Sequence, residues 1–423
     1  MKSIAIIGTG IAGLGCAHLL RGQAELRLFE KESRVGGHSN TLLVDEQGEE
    51  IAIDSGFMVY NEVTYPLLTG LFAELGVETD PSDMSFSVQH RPSGLEYCGS
   101  SMSQLFAQRR NLFRPRHYRM LARIDRFHRE AVAALDDPAF SSVTLAEYVA
   151  ARGYGSDFLE RFLIPMSAAV WSTPFRQIME FPATTLLRFF HNHGFLGMDT
   201  QHPWRTVRGG SRKYVEKLTQ PFRDRIETGD PVVAVRRNSD GAEVRLRSGA
   251  TARFDQVVFA AHADETLAMI ADPTPEELRL LSPFHYQSNV AQLHTDKGVM
   301  PRTRRAWASW NYRITEIDGQ SHGSTVYWMN SLQKVSQRRD YFISIDDPGE
   351  VDPASVLQTI VYTHPLFTRD AITAQRELPT LNARDITFFC GSYFAYGFHE
   401  DALRSGMEAA SALLARNSEG CAA

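Results

Sequence analysis

Cysteine is scarce in this 423-residue sequence, with only Cys16, Cys98, Cys390 and Cys421. No two of them form a CxxC pair, so neither a zinc site nor a dithiol motif is expected, and no metal is assigned. Cys16 and Cys390 read as small buried hydrophobes, and the usage suits a reducing, cytoplasmic compartment. Positive charge is not in excess: 44 Lys and Arg face 50 Asp and Glu, a formal net charge of -6, which argues against general nucleic-acid binding. No apolar run approaches the roughly 18 residues of a membrane-spanning helix. Met1 to Ser3 lead directly into the apolar Ile4-Ala5-Ile6-Ile7 and then into glycine, so no secretory h-region is read. What remains is a chain with 43% hydrophobic residues, long enough for two or three domains and a sizeable core.

The most informative segment is the first. Lys2 to Ile7 reads as a buried strand, Gly8-Thr9-Gly10-Ile11-Ala12-Gly13 matches GxGxxG, and Ile11 to Leu20 reads as a helix. Leu26 to Phe29 forms a second strand ending at Glu30. Gly8 permits the turn out of the strand, Gly10 lets backbone approach a pyrophosphate, and Gly13 lets helix and strand pack closely. The N–H groups of Ile11 and Ala12, with the positive end of the helix dipole, suit phosphate. Glu30 is placed to accept hydrogen bonds from ribose hydroxyls. The combination predicts a dinucleotide-binding βαβ unit.

Next comes Glu30-Lys31-Glu32-Ser33-Arg34-Val35-Gly36-Gly37-His38. It resembles the second FAD signature of the flavin amine oxidase superfamily, in which an acid is followed by Arg-x-Gly-Gly and a polar residue. The resemblance implies FAD rather than NAD, with Lys31, Arg34, Gly36, Gly37 and His38 near the cofactor. Most amine oxidases carry Arg where this chain has His38. Asp54-Ser55-Gly56-Phe57 resembles the loop that returns to the flavin, which adds Gly56 and Phe57. A middle block, from Trp204 through the helix-like Arg212 to Leu218 and the strands around Val232-Val233 and Gln256 to Ala261, resembles the second part of such a domain, with Val233 and Ala261 at the cofactor. The strand Ile386 to Cys390, the loop from Gly391 and the helix Leu403 to Leu414 resemble its last part. Gly391, Phe398, His399, Glu400, Asp401 and Ala402 are the implied flavin neighbours there, and a helix N-terminus at the ring would stabilise negative charge.

The expected fold is therefore α/β: a discontinuous Rossmann-type FAD-binding domain with an inserted mixed sheet-and-helix substrate domain. The expected pieces are 1–56, 204–288 and 379–423 for FAD, and 57–203 (mainly helical) and 289–378 for the substrate. The inserted pieces are rich in aromatics, among them Phe162, Trp171, Phe175, Phe189, Phe195, Trp310 and Tyr327. Most belong to a core, yet their density suits an apolar tunnel.

Together with Trp307 to Tyr312, the Gly397-Phe398-His399-Glu400-Asp401 motif is similar to a bacterial subgroup of flavin oxidoreductases associated with modification of membrane fatty acids. That resemblance implies oxidation or desaturation of a fatty-acyl chain, with His399, Tyr60 and Glu400 as candidate bases. Double-bond isomerisation, amine oxidation and a non-catalytic flavin-binding sensor are the alternatives. One stretch stands apart: Arg109 to Arg129 carries eight arginines interleaved with Leu112, Phe113, Tyr118 and Phe127, and only Asp125 offsets them. It reads either as a solvated helix face, as a peripheral contact with anionic membrane on the inner face, or as a site for an acidic carrier protein.

Overall fold

The structure, a computed structural model, describes residues 1–140, 143–171, 173, 175–197, 200–384 and 386–420. Cys421 lies outside the described residues, as does the side chain of Phe175. Five parallel strands form one sheet in the order Ile226–Thr228, Glu25–Glu30, Ser3–Ile7, Gln256–Phe259, Thr387–Phe389. The first strand sits in the middle, with the next strand of the chain on one side and Gln256–Phe259, some two hundred residues later, on the other. That is the switch point of a doubly wound sheet, where a crevice opens beyond the strand ends.

Apolar residues fill both faces of this strand, which is why it reads as an unbroken apolar run. Ile4 and Ile6 face the helices Ile11–Leu20 and His399–Gly420. Ala5 and Ile7 face Val235, Val244 and Phe254 of a three-stranded antiparallel sheet. The two helices approach so closely that only glycine fits between them. A Cβ on Gly406 would lie 2.1 Å from the Ala12 carbonyl oxygen, and one on Gly15 would lie 2.5 Å from Leu403 Cδ1.

The second body is a seven-stranded sheet in the order Val356–Leu366, His285–His294, Phe342–Ile345, Gln320–Trp328, Trp310–Ile317, Phe86–His90, Leu95–Cys98. Every pairing is antiparallel except Trp310–Ile317 with Phe86–His90. The 57–203 block is mainly helical and also supplies two strands of this sheet and the short strands Tyr60–Asn61 and Thr79–Ser82. Their segments carry buried polar groups such as Ser87 and Gln89, so they lack an apolar signature. The boundary at 288/289 falls inside a strand, because His285–His294 pairs along its whole length with Val356–Leu366. Among the described residues no helix is long and apolar enough to cross a membrane.

Two glycine substitutions separate packing from propensity. Gly70 lies in the exposed interior of the helix Pro66–Glu74 with nothing within 4 Å of an added Cβ. Gly70→Ala is expected to raise stability by about 0.5–1 kcal/mol in urea unfolding. Gly406→Ala is expected to lower it by about 1–3 kcal/mol, because the first helix must shift. Equal effects of the two changes would contradict the close helix contact.

Candidate active site

One cavity of about 1120 Å³ runs from the C-terminal ends of the parallel strands to the seven-stranded sheet. Its polar end is walled by Gly8, Thr9, Gly10, Ile11 and Ala12, then by Glu30, Lys31, Arg34, Gly37 and His38, and by Val233 and Ala261 from the middle block. The three glycines of the loop have different reasons. Gly8 has φ +105°, and a Cβ there would sit 2.7 Å from the Ala260 carbonyl oxygen. A Cβ on Gly13 would sit 2.0 Å from the Gly8 carbonyl oxygen, so Gly13 packs the turn and does not line the cavity. Gly10 has φ -66° and nothing within 4 Å of an added Cβ, so neither backbone strain nor protein packing requires a glycine there. It suits a group held against the backbone on the cavity side. The helix behind it starts with no side-chain cap and no acid in its first turn, leaving its N–H groups for an anion.

The acid at the strand end is tied into the loop. Glu30 accepts from the Thr9 backbone N–H at 3.0 Å and from the Glu32 N–H at 3.0 Å, and its remaining lone pairs can serve a ribose. Lys31 is paired with Glu265 at 2.6 Å, and Arg34 donates to the Gly37 carbonyl at 2.7 Å, bracing the turn. Gly36, at φ +113°, is part of that turn and donates to the Thr9 carbonyl. It lies outside the cavity lining. The glycine cradle, the uncapped helix start and the acid at the neighbouring strand end fit a dinucleotide, with the pyrophosphate at Gly8 to Ala12.

Further along, Gly56, Phe57, Gly391, Phe398, His399 and Ala402 line the cavity. A Cβ on Gly56 would lie 2.2 Å from the His38 carbonyl oxygen, which the Phe57 N–H already engages. His399 stacks on Phe57 with ring centroids 3.8 Å apart. Its Nε2 lies 2.9 Å from Ser39 Oγ and 3.0 Å from Tyr214 Oη. Burial pushes its imidazole down to about 3, so the ring is neutral at physiological pH.

Three residues expected at the site lie elsewhere. Glu400 accepts from the Leu67 and Leu68 N–H groups, both at 3.0 Å, and so anchors the first turn of the helix Pro66–Glu74. Asp401 accepts from the N–H groups of Tyr396 and Phe398 and shapes its own loop, with burial holding its carboxyl up at about 6. Tyr60 is turned into the core against Tyr65 and Phe72, and its hydroxyl points at Thr79 Oγ1, 3.4 Å away. None of the three lines the cavity. Glu400 and Tyr60 are therefore withdrawn as candidate bases.

The other end of the cavity is apolar. Met84, Phe86, Met166, Val170, Trp171, Phe189, Phe195, Trp204, Trp310, Tyr327 and Phe367 form its walls. The charged lining residues, Glu30, Lys31, Glu32, Arg34, Arg247 and Glu265, all belong to the glycine-loop end. The apolar end carries His193, which sequence reading passed over. It stacks on Phe189 at 3.9 Å, its Nδ1 lies 3.0 Å from the Phe189 carbonyl, and burial pushes it down to about 4. Its only sequence signal is a histidine between Phe190 and Phe195. Also missed were His262, His364 and Tyr362, which gather around His38 with ring centroids 5.1–6.2 Å from it. Burial lowers all three imidazoles, His364 to about 4.

Gly10→Ala is expected to leave the unfolding midpoint within about 0.5 kcal/mol of the parent. The same change is expected to weaken FAD retention at least about tenfold, read by flavin fluorescence after dialysis, since a Cβ would separate backbone and phosphate. Unchanged retention would contradict the assigned cradle.

The buried histidines set a pH dependence. Unfolded histidines take up protons near pH 6.5, whereas His193, His364 and His399 resist protonation down to about pH 3–4. The stability they confer is complete above about pH 6.5 and is lost as pH falls toward their folded values. Each contributes a slope of up to about 1.4 kcal/mol per pH unit, opposed by Asp401 and Asp54, whose carboxyls burial holds up. Urea midpoints should therefore fall from pH 7 to pH 5, and His364→Gln should flatten the fall by about one proton. A flat profile in the parent would exclude buried neutral histidines.

The comparisons agree with this geometry. Residues 11–414 match the family model described as flavin containing amine oxidoreductase. A search of curated protein sequences finds no match. Among solved structures, cyclohexylamine oxidase from Brevibacterium oxydans IH-35A superposes with TM-score 0.69 at 16% identity, covering 99% of each chain. Putrescine oxidase bound to putrescine gives 0.67 at 14% identity, covering 98% of this chain and 99% of that one. A CLA-producing fatty acid isomerase from P. acnes gives 0.66 at 14% identity, covering 97% and 98%. At these identities the structural likeness speaks for the fold. With the family model spanning nearly the whole chain, the protein belongs to the flavin containing amine oxidoreductase family and is an FAD-dependent oxidoreductase.

Proposed function

We propose that the enzyme oxidises a hydrophobic chain, and specifically that it desaturates a fatty-acyl chain, free or esterified. The observation that carries this reading is the apolar end of the cavity, walled by aromatics and methionines with no charged side chain among the described residues. A cationic amine placed there would lose its hydration without a carboxylate to meet it, at a cost of several kcal/mol. An acyl chain loses only water that it does not bind.

Bound FAD supplies the two-electron hydride acceptor. The chain's own residues do the rest. Trp171, Phe189 and Phe195 hold the acyl chain in place and exclude water. A hydride leaves a carbon activated by a neighbouring double bond or branch, a proton leaves the adjacent carbon, and the electron pair left behind forms the new C=C bond. His193 is the proposed proton acceptor. Its Nδ1 must carry the ring proton to donate to the Phe189 carbonyl, which leaves Nε2 with a free lone pair. His399, held by Ser39 and Tyr214, is proposed as a neutral hydrogen-bonding group beside the cofactor rather than as the base.

A second reading has one supporting observation, the shared fold of the P. acnes fatty acid isomerase. In that case hydride returns to a different carbon and a double bond migrates with no net oxidation. Anaerobic mixing of the holoenzyme with unsaturated or methyl-branched fatty acids, phospholipids and putrescine separates the readings. Desaturation predicts stoichiometric flavin bleaching by a lipid and a diene product. Isomerisation predicts a shifted double bond with the flavin still oxidised. Bleaching by putrescine and by no lipid would overturn both. His193→Phe should retain FAD and slow lipid-driven bleaching by about 100-fold or more.

A further inference from the structure

We infer that the surface formed by Arg109–Phe113 and the outer face of the helix Pro115–Ala134 docks the enzyme on an anionic phospholipid bilayer. The inference deepens the acyl-chain reading by naming where the substrate is met, and its test stands apart from that reading.

Apolar side chains at this tip are turned outward. Phe113 is 87% exposed, Met102 62%, Tyr118 48% and Leu112 42%. Leu112, Phe113, Pro115 and Tyr118 share one shallow surface groove with Arg119. Single exposed hydrophobes are ordinary, but a cluster of this kind marks an interaction surface. Its neighbours are exposed guanidinium groups: Arg109, Arg110, Arg114 and Arg119. Among the described residues none of these four has a carboxylate partner, whereas Arg116 is paired with Asp157 and, further along the helix, Arg126 with Glu130 and Arg129 with Asp125. The unpaired charge is thus concentrated beside the exposed aromatics, in a chain whose net charge is -6.

Apolar side chains ringed by arginines that lack carboxylate partners match the boundary between acyl chains and phosphate headgroups. Phe113 and Leu112 would enter the apolar layer, and the arginines would meet lipid phosphates. Salt-paired arginines would gain little there. The opposite side of the helix belongs to the cavity's own support. Phe127 is buried in the same apolar cluster as the cavity-wall residues Trp171 and Phe189. One helix therefore separates the proposed bilayer contact from the packing that shapes the acyl compartment.

The test is flotation of holoenzyme with phosphatidylglycerol vesicles and with phosphatidylcholine vesicles, at low and high salt. Binding to the anionic vesicles alone, weakened by salt, is expected. Arg114→Gln and Arg119→Gln should each lower partitioning about fivefold, and Phe113→Ser about tenfold. All three variants should keep the parent FAD content and the parent rate of bleaching by detergent-dispersed fatty acid, so misfolding is distinguishable from lost docking. Equal binding to both vesicle types, or binding unaffected by all three variants, would overturn the inference. So would retention of the enzyme by a soluble acidic carrier protein with no vesicle binding. If dispersed fatty acid bleaches the flavin while vesicles do not bind, the docking surface fails and the acyl-chain reading stands. Specific vesicle binding with no bleaching by any lipid leaves the surface and removes the substrate.

Discussion

The contact between the first helix, Ile11–Leu20, and the last, His399–Gly420, is the constraint on which the site depends. Gly406 against Ala12 and Gly15 against Leu403 allow backbone to approach where any larger side chain would hold the helices apart. The approach brings the glycine loop and the Gly397 to Ala402 loop to one cavity, although they lie at opposite ends of the chain. Segments from elsewhere then lock onto the pair. Ser39 and Tyr214 converge on His399, and Glu400 fixes the start of the helix Pro66–Glu74. A single close-packed contact thus positions groups from five separate stretches of sequence.

The cavity divides its chemistry by position. Charged groups, glycines and a free helix start are gathered at one end, where a dinucleotide's phosphates and ribose need them. Aromatic and thioether side chains hold the other end at low polarity. The imidazoles along the cavity are kept neutral by burial, His399 and His193 most clearly. Neutral imidazoles add hydrogen-bonding capacity without adding charge to a compartment that has no counterion for it among the described residues. The arrangement suits proton handling beside an uncharged chain.

Surface chemistry follows a similar separation. The arginines of the 109–129 stretch are not one uniform basic face. Arg116, Arg126 and Arg129 are neutralised by Asp157, Glu130 and Asp125 and so belong to the fold's own stability. Arg109, Arg110, Arg114 and Arg119, beside Phe113, have no carboxylate partner among the described residues, and they share their surface with exposed apolar side chains. A solvated helix face and an interaction surface thus occupy one segment, and sequence could not apportion them because pairing depends on which helix lies alongside.

The sequence by itself determined the dinucleotide unit. Strand, glycine loop, helix and terminal acid lie within 30 residues, so local rules sufficed: the helix is Ile11–Leu20 as read, and Gly8 and Gly13 sit where the turn and its packing leave no room for a side chain. Resemblance extended this to FAD and to the middle and final blocks, since those motifs are also short. What only the tertiary structure decided is which side chain faces what. His399, Glu400 and Asp401 are consecutive, yet one lines the cavity, one caps a distant helix and one braces its own loop. Helical geometry sends neighbours in different directions, and the packing partners that fix His399 and Glu400 lie hundreds of residues away. His193 stayed hidden for the same reason, because its position between Phe189 and Trp204 becomes a site only when the fold closes around it.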